Sequence, residues 1–171
     1  MQTLMVTGAS RGIGLETTRQ ALERGDRVIA ATRSEARDLE PLRRRHGDRL
    51  VHVLMDVGSV ESIIAAHALV EAEVRSIDVL VNGAGIYSHQ SEHWDPDATL
   101  FDTVTQDELL EVFRINAAGP MIVTQHFLNL VRASAHGRIL NLSSLVGSVS
   151  SKTGGGDYAY AASKAALNIM T

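Results

Sequence analysis

The sequence predicts an α/β fold, a doubly wound parallel sheet with helices on both faces, and three observations support this prediction. Short apolar runs rich in β-branched residues alternate with stretches of helical periodicity. The apolar runs are continuous, as expected for strands covered on both faces. The chain has 171 residues, 44% of them hydrophobic, which is long enough for one core. We therefore interpret residues 1–171 as a single domain.

The elements follow one another along the chain as strand and helix in turn. Helix-stop glycines, Gly25 and Gly47, follow the first two helical stretches, and Ser59 is a candidate N-cap of the third. Because strand and helix alternate, the sheet is expected to be parallel, with ligands beyond the carboxyl ends of its strands. The predicted strands are 3–8, 27–33, 49–57, 77–85 and 137–144, and the predicted helices are 12–24, 35–46, 59–75 and about 105–133.

Composition excludes several classes of function. The net charge of −4, with no basic side of the chain, argues against nucleic-acid binding, and the run "RRRH" at 43–46 is interpreted as a solvated helix end. The chain has no cysteine, so disulfides, thiol nucleophiles and cysteine metal sites are excluded. No secretion signal or membrane-length apolar run is found, so we expect a cytoplasmic protein without a membrane partner.

A glycine-rich loop, "TGASRGIG" at 7–14, lies between the first strand and the first helix. Gly8 allows a tight turn, Gly12 allows the backbone to approach a phosphate, and Gly14 allows the helix to pack closely on the strand. The spacing Gly-x-x-x-Gly-x-Gly differs from the better-known Gly-x-Gly-x-x-Gly. Its position in an alternating α/β chain favours a dinucleotide site over a purely structural turn.

The end of the second strand bears on which dinucleotide binds. NAD needs an acidic residue there for its ribose, but this strand is followed by Arg33, with no acid before Glu35. Arg11 adds a second guanidinium, and two arginines suit a 2′-phosphate, so NADP(H) is favoured over NAD(H). The alternative is two solvated surface arginines. Asp56, after the third strand, either accepts a hydrogen bond from adenine or caps the following helix.

Tyr160 and Lys164 are four residues apart in "AYAASKAALNIM", a good helix-forming segment, and therefore share one helix face. Tyr158 has Ala162 at the same offset and gains no cation. A nearby ammonium favours the tyrosinate, which makes Tyr160 the candidate acid. Taken alone, such a pair is usually accidental, and its meaning depends on the other motifs.

Asn116 lies four residues before Pro120 in the predicted long helix. Proline has no N–H group, so the carbonyl of Asn116 loses its helical donor. A freed carbonyl at a local kink can hold a water molecule that connects Lys164 to solvent. The alternative is a plain helix break at Gly119 and Pro120.

These motifs together resemble those of the short-chain dehydrogenase/reductase family. The loop at 7–14, "NGAG" at 82–85, Asn116, "NLSSLVG" at 141–147 and "YAASK" at 160–164 occur in the family's order and spacing, over the whole chain. The segment 147–168 looks most like the subgroup of C-factor and sniffer-type carbonyl reductases. Gly83, where the family more often has asparagine, and the long Ser144-to-Tyr160 spacing depart from the pattern.

The resemblance implies an NADP(H)-dependent enzyme with a Rossmann fold that acts on a small carbonyl compound or secondary alcohol. By this similarity Ser144 binds the carbonyl oxygen, with Ser143 as a structural neighbour. Tyr160 donates the proton, Lys164 assists it and holds the nicotinamide ribose, and Asn116 resupplies the proton through water. A homodimer or homotetramer is also implied. The cofactor-binding residues predicted in this way are Gly8, Ser10, Arg11, Gly12, Ile13, Gly14, Arg33, Asp56, Val57, Asn82, Gly83, Ala84, Gly85, Tyr160 and Lys164.

Other features of the chain receive weaker interpretations. His89 and His93 are four apart and lie near acidic residues, Glu92 and Asp95, but in a loop-like stretch, so no metal site is predicted. Trp94 and Phe101 are predicted to line a substrate pocket or to pack a lid.

The family's fold continues beyond the tyrosine helix, whereas the chain ends at "LNIMT" without a helix stop. We therefore expect the sequence to lack the C-terminal part of the fold, because the chain is incomplete, because its remainder was not ordered, or because the protein is short. The alternative function is a cofactor-binding signalling or regulatory protein without turnover.

Overall fold

The computed structural model describes residues 1–87, 101 and 104–171. Within them, one parallel sheet has the strand order β3-β2-β1-β4-β5. The chain builds outward from β1 in one direction and then returns to add β4 and β5 on the other side. The prediction of a Rossmann-like, doubly wound parallel sheet is therefore confirmed. The strands are β1 (Thr3–Thr7), β2 (Arg27–Thr32), β3 (Leu50–Leu54), β4 (Val79–Asn82) and β5 (Arg138–Asn141).

The helices follow the predicted stretches with local differences at their ends. Ser59 caps α3 as predicted, since its Oγ accepts a hydrogen bond from the Ser62 N–H at 3.2 Å. The predicted helix at 35–46 begins instead as a 3₁₀ turn, Arg37–Leu39. The helices are α1 (Gly12–Glu23), α2 (Glu40–His46), α3 (Val60–Glu73), α4 (Gln106–Phe113), α5 (Gly119–Arg132) and α6 (Tyr158–Ile169).

The described chain divides into two compact units, and the prediction of a single domain stays a prediction. The first unit, residues 1–84 and 122–142, contains the sheet. Successive residues of its central strands are buried, so both sheet faces carry core, with Met5, Val28 and Leu80 among the largest buried side chains. Burial on both faces explains why the strands appear in the sequence as continuous rather than alternating apolar segments.

Asp78 directly precedes β4 and fixes the backbone there within the first unit. Its carboxylate accepts hydrogen bonds from the Thr3 N–H at 2.7 Å and from the Ser134 Oγ at 2.6 Å. The Ser134 hydroxyl, and after it the Thr3 amide, lowers the pKa of Asp78 below its ordinary value. An ionised carboxylate thus joins the start of β1 to the segment before β5.

The second unit comprises residues 85–121 and 143–171. It contains α4 and α6, which pack against each other, and a 3₁₀ turn, Leu145–Gly147, which packs on α6. Among the helices that the structure describes, none is long and apolar enough to cross a bilayer.

Candidate active site

The three glycines of the loop after β1 serve three different needs. Gly8 has a φ of +70°, and a Cβ there would lie 2.7 Å from the Ala84 Cα. Gly12 also has a positive φ, +54°, but the space around it is open. A Cβ on Gly14 would overlap the carbonyl oxygen of Gly8, so its close partner is the loop itself. The backbone is therefore open to a ligand at Gly12, where the sequence predicts the phosphate approach.

The start of α1 fits the phosphates of a dinucleotide. Arg11 occupies the N-cap position and makes no side-chain cap hydrogen bond. The first-turn N–H groups, at Gly12, Ile13 and Gly14, have no acceptor within an α-helix, and the helix dipole places positive charge there. Such an end is suited to an anion. Arg11 is exposed, and so is Arg33, which directly follows β2.

Thr7 holds the "NGAG" loop, a role that the sequence motifs do not indicate. Its Oγ1 accepts hydrogen bonds from the N–H groups of Gly83 and Ala84, both at 3.1 Å. A Cβ on Gly83 would lie 2.8 Å from the Thr7 carbonyl oxygen, so this departure from the family pattern suits the close approach of the two segments.

Two other predicted cofactor residues have structural partners in the first unit. The Asn82 Nδ2 donates to the Asn141 Oδ1 at 2.8 Å and to the Thr124 Oγ1 at 3.1 Å, and so links β4 to β5 and α5. The Asp56 Oδ1 accepts from the Gly58 N–H at 2.8 Å, in a turn that precedes α3. Because Ser59 caps α3, the alternative that Asp56 caps this helix is wrong. Val57 is buried, and Ser10 is half-buried beside Arg11.

Lys164 is a buried cation in the second unit. Its side chain lies on the α6 face that carries Tyr160, with Nζ 5.6 Å from the centroid of the Tyr160 ring. The residue is only 5% exposed, and burial lowers the pKa of its ammonium below the ordinary value. Its Nζ would lie 3.8 Å from a Cβ on Gly85, so the last glycine of "NGAG" leaves room for the lysine head.

Gly147 brings the 3₁₀ turn directly onto the backbone of Lys164. A Cβ at Gly147 would lie 2.8 Å from the carbonyl carbon of Lys164 and 2.9 Å from its Cβ. The glycine of "SLVG" is therefore a close-packing residue, and it determines how near α6 lies to the serine segment.

Asn116 lies in a π-helical turn, Arg114–Ala118, which joins α4 to α5 without a break. The Gly119 N–H donates to the carbonyl of Arg114, five residues back, directly before Pro120. The plain helix break is therefore wrong, and the helix instead widens directly before the proline that lacks an N–H group.

The Asn116 side chain is fully buried and committed to three hydrogen bonds. Its Oδ1 accepts from the Ile86 N–H at 2.8 Å, and its Nδ2 donates to the Ile86 carbonyl at 2.8 Å. The Nδ2 also donates to the Ser163 Oγ at 3.1 Å. Ser163 in turn donates to the Tyr160 carbonyl at 2.7 Å. The amide thus joins the segment after "NGAG" to the helix that carries Tyr160.

The two serines of "NLSSLVG" differ in surroundings. Ser143 is exposed, and its Oγ donates to the Asn168 Oδ1 at 2.5 Å, while the Asn168 Nδ2 donates to the Gly147 carbonyl at 3.2 Å. Ser144 is half-buried, has an extended backbone and starts the 3₁₀ turn. The structure therefore gives Ser143 a structural partner. The four predicted catalytic residues all lie in the second unit: Asn116, Ser144, Tyr160 and Lys164.

The two tyrosines of α6 have different aromatic neighbours. Tyr160 is stacked on Tyr87, with ring centroids 4.0 Å apart and planes 14° apart. Tyr158 meets the edge of Phe101 at 5.9 Å, and the ammonium of Lys152 lies 5.8 Å from its centroid. The sequence predicts no role for Tyr87, because this residue begins a polar stretch without periodicity.

The residues considered for a metal site, His89, Glu92, His93 and Asp95, and the pocket candidate Trp94 lie outside the described residues. In residues 1–87, 101 and 104–171, no cluster of three metal-ligating side chains occurs.

Comparison with known proteins places the chain in one family over nearly its whole length. A model of the short chain dehydrogenases matches residues 2–171. The chain is 33% identical to L-xylo-3-hexulose reductase of Hypocrea jecorina (strain QM6a) over 98% of its own length and 59% of that protein. It is 36% identical to retinol dehydrogenase 7 of Mus musculus over 89% of its own length and 45% of that protein. The chain thus spans about half the length of these curated relatives.

Solved structures agree with the family match. NADPH-bound carbonyl reductase from chicken fatty liver superposes with a TM-score of 0.89 at 30% identity, covering 100% of this chain and 68% of that one. The carbonyl reductase Sniffer of D. melanogaster superposes with a TM-score of 0.87 at 27% identity, covering 100% of this chain and 73% of that one.

Proposed function

The chain belongs to the short-chain dehydrogenase family, and we propose that it serves an NADP(H)-dependent oxidoreductase of the carbonyl reductase type. The substrate class is a small carbonyl compound or the corresponding secondary alcohol. One observation carries the proposal. A buried lysine lies one helical turn from Tyr160, and the same helix is hydrogen-bonded to the buried Asn116 side chain.

Each of these residues has a distinct task in the proposed reduction. Tyr160 donates a proton to the carbonyl oxygen of the substrate, and the Ser144 hydroxyl hydrogen-bonds that oxygen. The Lys164 ammonium stabilises the tyrosinate that remains. The reduced nicotinamide of a bound cofactor would supply the hydride.

Proton resupply involves the main chain of Asn116. Its side chain is already used by Ile86 and Ser163. The group that Pro120 leaves without an α-helical donor is the carbonyl of Asn116. We assign the water contact of the relay to that carbonyl.

The first unit would hold the phosphates of the cofactor. The N–H groups at the start of α1 would bind the pyrophosphate, and Arg11 and Arg33 would bind a 2′-phosphate. The resembling carbonyl reductase from chicken fatty liver has NADPH bound, which supports the phosphorylated cofactor. A cytoplasmic location and a homodimer or homotetramer complete the proposal.

The test compares Tyr160→Phe with Tyr158→Phe, a matched control that removes the same hydroxyl from the same helix. Consumption of NADPH is followed with a panel of aldehydes and ketones, and cofactor binding is measured by fluorescence. We expect turnover by the wild type, a loss of about 10³-fold in kcat for Tyr160→Phe and little change for Tyr158→Phe. Equal rates in Tyr160→Phe and the wild type would overturn the assignment. Cofactor binding without turnover of any carbonyl would favour the signalling alternative.

A further inference from the structure

We propose that Tyr87 is a positioning residue for the proton donor, Tyr160. The Tyr87 ring holds the Tyr160 phenol in place, and the Tyr87 hydroxyl donates to the Tyr160 oxygen. The inference rests on the proposed function, because it assigns Tyr160 as the donor. It adds a residue from outside the family motifs identified in the sequence.

The first support is the stacking geometry. The rings of Tyr87 and Tyr160 lie 4.0 Å apart and within 14° of parallel, so Tyr87 covers one face of the donor. A phenol packed in this way loses freedom to rotate out of its reactive orientation, and enzymes depend on such pre-orientation. Tyr158, two residues earlier, has an edge contact with Phe101 and no such cover from Tyr87.

The second support is that the backbone next to Tyr87 is fixed. Both main-chain polar groups of Ile86 are hydrogen-bonded to the Asn116 side chain at 2.8 Å. The same side chain bonds Ser163, which bonds the carbonyl of Tyr160. One buried amide therefore sets the backbones that carry the two stacked rings relative to each other.

The third support is the protonation of Tyr87 beside the Tyr160 phenol. Burial raises the pKa of Tyr87, and the charges of Tyr160 and Asp157 and a side-chain hydrogen bond to Tyr160 raise it further. A phenol whose pKa is raised keeps its proton, so the Tyr87 hydroxyl is available as a donor to the oxygen of the stacked Tyr160. Among the described residues, charged side chains beside the pair include Lys164, whose Nζ lies 5.6 Å from the centroid of the Tyr160 ring, and Asp157, whose charge raises the pKa of Tyr87.

In the proposed reduction, negative charge develops on the Tyr160 oxygen as its proton moves to the substrate. A hydroxyl that already donates to this oxygen strengthens its hydrogen bond as the charge grows. Tyr87 keeps its own proton throughout, so the step remains balanced with Tyr160 as the only donor to substrate.

The kinetic experiment separates the hydroxyl from the ring. Tyr87→Phe keeps the stack and removes the donor, whereas Tyr87→Leu removes both, and Tyr158→Phe is the control. We expect kcat for reduction to fall about threefold to tenfold in Tyr87→Phe and about 10- to 100-fold in Tyr87→Leu, with KM for NADPH unchanged. The alkaline limb of the kcat profile should move to higher pH in Tyr87→Phe, because the tyrosinate loses a donor.

A second measurement needs neither cofactor nor turnover. The chain has three tyrosines, so ultraviolet titration of single Phe variants assigns each ionisation. We expect Tyr160→Phe to move the ionisation of Tyr87 to lower pH, since the charge and the hydrogen bond of Tyr160 are removed, while Tyr158→Phe leaves it unchanged.

The inference fails if Tyr87 ionises at the same pH in Tyr160→Phe as in the wild type. It also fails if both Tyr87 variants keep the wild-type kcat and pH profile, or change KM for the carbonyl alone. Failure of the proposed function gives a different result, namely no carbonyl reduction by the wild type itself.

Discussion

Gly147→Ala tests whether the packing of the "SLVG" turn on α6 places Lys164. The added Cβ would lie 2.8 Å from the carbonyl carbon of Lys164, about 0.6 Å short of ordinary contact. The obstacle is helix backbone, which cannot rotate away as a side chain can, so the turn and α6 must separate. Overpacking of this kind costs about 1–3 kcal/mol of unfolding free energy. A displacement approaching 1 Å at a reacting group costs up to about 100-fold in rate.

The assay measures kcat for carbonyl reduction together with urea unfolding. We expect Gly147→Ala to lose about 10- to 100-fold in kcat, with the midpoint of unfolding lowered. Gly154→Ala is the matched control, because a Cβ there meets no atom within 4 Å and its φ is not positive. A Gly147→Ala protein with wild-type stability and kcat would refute the reasoning. Equal losses in both variants would show that the close approach to Lys164 is not the cause.

Three further predictions concern the serines, the cofactor and acid stability. Ser144→Ala should lower kcat for carbonyl reduction about 10²-fold. Ser143→Ala should keep this kcat and lower only the free energy of unfolding, measured in urea. Arg33→Ser should raise KM for NADPH about tenfold or more and leave KM for NADH unchanged, with the exposed Arg37→Ser as control. Asp78→Asn should cost about 2 kcal/mol at neutral pH. Because folding lowers the pKa of Asp78, its contribution is present above about pH 4 and is lost as the pH falls through the lowered pKa, so variant and wild type should converge in acid unfolding curves.

The parts of the fold that were predictable are those set by local periodicity. Continuous apolar runs gave the five strands, and the offset of four residues placed Lys164 on the face of Tyr160. Helix ends were less predictable, because the turn at Arg37–Leu39 depends on packing rather than on a cap residue. The π turn was indicated only indirectly, by a proline whose missing donor has to be accommodated somewhere in a continuous helix.

Contacts between distant segments could not be read from spacing. Nothing in the order of residues shows that a Cβ at Gly147 would meet the backbone of Lys164, or that Thr7 holds the amides of Gly83 and Ala84. Tyr87 was missed for the same reason, since a single aromatic residue at the start of a polar stretch has no periodic partner. The roles of such residues arise from tertiary contacts, namely backbone packing, side-chain hydrogen bonds and ring stacking.

The structure also changes what a substitution of Asn116 would measure. Its side chain bonds Ile86 and Ser163, whereas the proposed relay uses its main-chain carbonyl, which every residue at this position retains. Asn116→Ala therefore removes the connection between the segment before Tyr87 and α6, and leaves the relay atom in place. If the carbonyl is the relay, lost activity in Asn116→Ala should be accompanied by a changed ultraviolet titration of Tyr87, because the stacked pair is released. A loss of activity with the Tyr87 titration unchanged would instead place the relay in the asparagine amide.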